Sequence, residues 1–227
     1  MPRRPLVPAG FAVSAAFAAT LALAAVFAFA ACPARAEEDG KDIRDLAIGM
    51  SVAELPQAGY VELICAGVPD TQLDSWEGYE KCPANDKGQR EVRFQFDDAS
   101  LQAQYNERYK GTKIGGHPVL ISILISKART VDGILIETDP KVRLFLKKKA
   151  FLMALQIRER YGNDGWTCAD QPKGAGEEPV GGAFIKERCE KVTATRRYVY
   201  DRELFQRAGQ SLKDFVSTTR LAILAKG

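Results

Sequence analysis

Four cysteines, Cys65, Cys82, Cys168 and Cys189, follow a stretch that reads as an export leader, and their compartment decides what can hold this chain together. The leader has the three parts that secretion requires: Arg3 and Arg4 at the start, an Ala/Phe/Leu run from Phe11 to Ala31, and the small-residue site Ala34-Arg35-Ala36. Pro33 removes a backbone donor and clashes with the preceding turn. The apolar helix therefore stops there, and Glu37 is the expected first residue after cleavage. Two alternatives stay open. The apolar run is 21 residues, long enough to remain as an anchor across a hydrocarbon core of roughly 30 Å, and Cys32 after Phe29-Ala30-Ala31 offers a lipidation site. The expected location is periplasmic or secreted, with no membrane span once the leader is cut. In such a compartment cysteines pair by default.

The chain has 32 Lys+Arg and 29 Asp+Glu, a formal charge of +3, and Arg3, Arg4 and Arg35 account for the whole excess. Beyond the leader the chain is neutral. It lacks the electrostatic footprint of a nucleic-acid binder, so no nucleic-acid partner is expected. Lys147-Lys148-Lys149 is a local basic run. On a regular helix successive residues point about 100° apart, so these ammonium groups would face three directions and read as solvated helix sides.

The element pattern predicts an α+β fold with helices packed on antiparallel sheet, arranged as two similar halves that share a core, residues 37–112 and 113–227. In the first half, Ser51 and Glu54 form a Ser-x-x-Glu capping box that starts a helix, which Pro56 keeps short. Strands follow at Tyr60 to Cys65 and Glu91 to Asp97, the latter alternating Val92, Phe94 and Phe96 with polar residues. In the second half, the runs Val119 to Ser126 and Val131 to Thr138 read as a hairpin. A long helix is predicted over 141–161, with Asp139 as N-cap, Pro140 at the first helical position and Gly162 as the stop. Its inner stripe is Val142, Leu146, Ala150, Met153, Ile157 and Tyr161; a second stripe, Leu144, Phe151 and Leu155 with Phe145 and Leu152, is expected to be covered by the first half or the C-terminal segment. Extended stretches near Trp166 to Cys168, Ala183 to Cys189 and Val192 to Tyr200 read as hairpins. A terminal helix is predicted from Ser211 to Ala225, with apolar positions Leu212, Phe215, Val216, Leu221 and Ile223.

Four cysteines allow three pairings, and proximity favours Cys65 with Cys82 and Cys168 with Cys189 as structural disulfides. No Cys-x-x-Cys occurs and His117 is the only imidazole, so neither a metal nor a redox cofactor is expected. His117 sits in Gly115-Gly116-His117-Pro118 and reads as a turn residue, and no Gly-x-Ser-x-Gly elbow accompanies it. Asp97 and Asp98, adjacent on a strand, point to opposite faces and cannot flank one bond. Lys173 to Glu178 is Gly-rich, but Glu177 and Glu178 would repel a phosphate. No catalytic residue is therefore assigned. Tyr60, Trp76 and Tyr79, near the first cysteine pair, are candidate partner-binding aromatics, although small-core caps would use the same residues.

Gly49-Met50-Ser51-x-x-Glu54-Leu55 followed by Gly59, together with Arg160-Tyr161-Gly162, resembles small envelope α/β modules of the SmpA/OmlA-type outer-membrane-assembly lipoprotein and of β-lactamase-inhibitor-like domains. The resemblance implies a helix-on-antiparallel-sheet module and function through partner binding. Together these readings predict an exported, non-enzymatic protein that binds a protein or cell-envelope component, with residues 66–81 and 169–188 as contact regions. The alternative is a periplasmic hydrolase whose carboxylates converge only on folding, which requires a pocket holding two acids with raised pKa values.

Overall fold

Alternating apolar side chains lay down most of the molecule as antiparallel β-sheet. The computed structural model describes residues 40–68, 71–97, 112–211 and 213–226. The leader, its cleavage site, Cys32, Asp98 and Leu212 lie outside them. The strands are β1 (Tyr60–Cys65), β2 (Arg90–Phe96), β3 (Lys113–Ile114), β4 (His117–Ile125), β5 (Val131–Thr138), β6 (Trp166–Asp170), β7 (Glu177–Glu178), β8 (Ile185–Val192), β9 (Arg196–Arg207) and β10 (Val216–Ala225). Eight of them run in the order β1-β2-β4-β5-β10-β9-β8-β6, while β3 pairs with β4 and β7 with β9. The unit Glu38–Gly227 clusters as one body.

The register aligns two apolar rows across this path. One row joins Phe94, Ile121, Ile136, Leu221, Tyr200, Cys189 and Cys168. The other joins Val92, Ile123, Ile134, Ile223, Tyr198, Lys191 and Trp166. Side chains alternate faces along a strand, so both rows point to the same side and make the core face. On the other side lies a charged row in which Arg188 pairs with Asp201 and Arg220 with Glu137, both at 2.9 Å. The core face is covered by the helix α2 (Met153–Tyr161), which buries Met153, Ala154 and Ile157, and by Ile43 and Leu46 of the loop before β1.

Three helical expectations are corrected. The fold is mostly antiparallel sheet and not an α+β arrangement of helices on sheet. The segment read as a terminal helix is β10, because Val216, Thr218, Thr219 and Ile223 are β-branched, the whole strand pairs with β9, and Arg220 to Leu224 pair with β5 as well. The long helix is broken into α1 (Leu144–Lys147), a 3₁₀ turn at Ala150–Leu152, and α2. Asp139 does not cap it: the Lys141 amide donates to the Asp139 carboxylate at 2.8 Å in a local turn, and α1 starts after Arg143 with no side-chain cap. The Thr219 hydroxyl donates at 3.0 Å to the Ala150 carbonyl, which also accepts from the Met153 amide.

The Ser51 box survives on a single 3₁₀ turn, Val52–Glu54, where the Ser51 amide donates to Glu54 at 3.0 Å. The β3–β4 hairpin turns through Gly115 and Gly116 at φ 55° and 79°, a two-residue loop that needs left-handed backbone at both positions.

Candidate functional site

The cysteines pair as Cys65–Cys82 and Cys168–Cys189. The second pair bridges opposed residues of β6 and β8. The Glu187 carboxylate lies within 4.8 Å of both its sulfurs, but these are spent in the covalent bond rather than held as thiolates. Arg158 donates to Cys168 Sγ at 3.0 Å and to the Tyr200 hydroxyl at 2.9 Å, packing this staple against α2.

Tyr60, Trp76 and Tyr79 are core residues, with 6%, 0% and 5% of their surface exposed. Tyr60, Trp76 and Phe94 meet edge to face at centroid distances of 5.3 to 5.7 Å. The Trp76 indole N–H donates to the Pro56 carbonyl at 2.8 Å and the Tyr60 hydroxyl donates to Asp45. Burial, then Asp45, pushes the Tyr60 pKa up. These rings fill the space that the first disulfide encloses and offer no surface to a partner. The Gly-rich 173–178 turn is likewise satisfied from within: Glu177 accepts from the Gly174 amide at 2.6 Å and from Lys186 at 2.9 Å. His117 opens β4, half-buried, with its pKa lowered by burial and by the nearby Lys149.

What the fold assembles instead is a cleft of about 220 Å³ between the core face and α2. Ile136 of β5, Leu221 of β10 and Phe96 of β2 meet Met153 and Ile157 of α2 and Ile43 of the loop before β1, all of them buried. Tyr161 closes one side, its hydroxyl donating to the Asp42 carbonyl at 3.0 Å; burial raises its pKa, so it stays a neutral donor. Three cations also line the cleft: Arg44, Lys113 and Arg160. Arg44 stacks its guanidinium 3.4 Å from the Phe96 ring centroid, and Arg160 donates to the Asp42 carbonyl at 3.3 Å.

No carboxylate lines the cleft among the described residues. The two acids of the adjoining loop are engaged elsewhere. Asp42 is held by Arg196 at 2.8 Å and by the Ile48 amide at 2.7 Å, and Asp45 by Tyr60. An apolar body with a positive rim accepts a ligand that is acidic at one end and greasy at the other. Its volume lies below the roughly 300–1,000 Å³ of pockets for drug-sized molecules, so it admits a short acyl chain or a single ring system. The inner stripe of the predicted helix anticipated Met153, Ile157 and Tyr161. The cations were missed because Arg44, Lys113 and Arg160 stand far apart in sequence and share no motif.

Comparison with family models, with curated proteins and with solved structures finds no match for the chain.

Proposed function

We propose that this is an exported, non-enzymatic binding protein of the cell envelope, and that its ligand is a small acidic amphiphile, or the acidic apolar end of a larger envelope component, seated between α2 and the core face. The observation that carries the reading is the union of three cations, with no carboxylate among the described lining residues, around a buried apolar floor at Ile136, Leu221 and Ile157. Export is supported by the leader pattern and by two disulfides, which persist in oxidising compartments. No helix among the described residues is long and apolar enough to cross a membrane. The hydrolase reading needs paired acids of raised pKa in a pocket, and the cleft supplies cations instead.

Titration with naphthalene-1-sulfonate, a fluorescent acid on a single ring system, tests this. The expected result is one site whose probe is displaced by decanoate and not by decylamine. Arg160→Ala should weaken it about tenfold, the order expected of a charge-assisted contact, and Gln156→Trp, which fills the cleft, should abolish it. Equal displacement by decylamine, or measurable turnover of 4-nitrophenyl decanoate, would sink the proposal.

A further inference from the structure

The outward side of the α1–α2 segment carries a second feature, independent of whether the cleft binds anything. From Pro140 to Arg158 there is no acid, and five cations, Lys141, Arg143, Lys147, Lys148 and Lys149, fall within nine residues. None of the five forms an ion pair with a described residue. The same stretch holds Leu144, Phe145, Leu152 and Leu155, exposed at 39%, 67%, 36% and 56%, which are four of the six exposed large hydrophobic residues among those described. The second stripe expected to be covered is therefore open at these positions.

Lys147 and Lys148 keep helical backbone, and Lys147 turns its ammonium onto the buried Phe215 ring, 5.1 Å from the centroid, so the outward charges are Lys141, Arg143, Lys148 and Lys149. Lys149 lies at φ −101° and ψ −2° between α1 and the 3₁₀ turn, and its ammonium sits 4.2 Å from the Phe145 ring centroid. Beneath, Met153, Ala154 and Ile157 are buried against the sheet and Thr219 holds the Ala150 carbonyl, so the exposed side is presented by a fixed scaffold.

Exposed leucines and phenylalanine interleaved with unpaired cations call for a surface that is both anionic and apolar at shallow depth. A nucleic acid would take the charges and leave Leu144 and Leu155 in water. A protein interface is the poorer fit because lysine is depleted from interface cores, and four of the five cations are lysines. We propose that the Lys141 to Leu155 face docks on an anionic lipid surface, with Phe145 entering the boundary between headgroups and acyl chains and the cations taking the headgroup charge.

The test is co-sedimentation with large vesicles, using a chain that starts at Glu37 so that the apolar leader is absent; the unit Glu38–Gly227 contains every strand and the core. Binding to phosphatidylcholine vesicles carrying one-quarter phosphatidylglycerol should exceed binding to pure phosphatidylcholine by at least about tenfold and fall in high salt. The pair Lys148→Glu and Lys149→Glu should lower it by at least about tenfold. Phe145→Ser should lower it about tenfold, while Phe145→Leu retains it and neither shifts the urea midpoint. Gln156→Trp, which blocks the cleft, should leave vesicle binding unchanged, so the two proposals fail separately. Absence of vesicle binding, equal binding to both compositions, or an unaffected Phe145→Ser variant that binds duplex DNA or an acidic protein as tightly as vesicles would overturn the proposal.

Discussion

Asp42 joins three parts of the molecule from one buried position. Its carboxylate accepts from Arg196 at the start of β9 and from the Ile48 amide, and its carbonyl accepts from Tyr161 and Arg160 of α2. Removing the carboxylate takes the counter-charge from a largely desolvated guanidinium that otherwise donates to the Ile48 and Thr195 carbonyls, so Asp42→Ala should cost about 3 kcal/mol in urea unfolding and loosen the Tyr161 side of the cleft. His117 supplies a separate, pH-dependent prediction. An imidazole held below its ordinary value of about 6.5 takes up a proton less readily folded than unfolded. Its contribution is thus complete above that ordinary value and is lost as pH falls from it toward the folded one. Because the chain has a single histidine, His117→Gln should flatten the fall in stability between about pH 7.5 and 5.5, read as urea midpoints. A variant whose midpoint falls as steeply as the parent's would refute this.

Strand positions were legible wherever alternation was clean and local. The runs at Tyr60 to Cys65 and Val131 to Thr138 match β1 and β5 residue for residue. Helices were not, because capping signals at Asp139 and Ser211 describe only what a short window prefers. At Ser211 the Lys213 amide does donate to the serine hydroxyl at 3.3 Å, yet the chain then extends, since β5 and β9 offer β10 a ladder on each edge. Tertiary pairing outweighs local propensity there. The break between α1 and α2 depends on a group 69 residues away, the Thr219 hydroxyl on the Ala150 carbonyl. Thr219→Val keeps the shape and removes this donor, leaving the Ala150 carbonyl with the Met153 amide alone. It should cost about 1 kcal/mol and speed amide exchange through the 3₁₀ turn, which hydrogen-exchange mass spectrometry would read.

At the scale of the whole molecule, the eight-strand path is open, with β1 and β6 at its ends, and each of these edge strands carries one half of a disulfide. The edge at β1 is further blunted by an irregularity between Val61 and Ile64, where Glu62 adopts φ 51°. Replacing Cys168 and Cys189 by serine should lower stability by about 3 kcal/mol on the loop-entropy scale and free β6 first, measured by denaturation and by protease cleavage within 163–184. Neither the cleft nor its charge could be read in one dimension, since its residues come from β2, β3, β5, β10, α2 and the loop before β1 and meet only when the sheet has formed.

The seam strand β10 comes after every other described strand in the chain, yet it lies between β5 and β9, where it links the panel β1-β2-β4-β5 to the panel β9-β8-β6. For a polypeptide threaded outward from its amino end, the keystone is delivered last. The ladder between the two panels must wait until Val216 to Ala225 has emerged. A chain that stops short of Val216 lacks the ladder that joins its two panels and keeps only side-chain ties such as Asp42 to Arg196 between them.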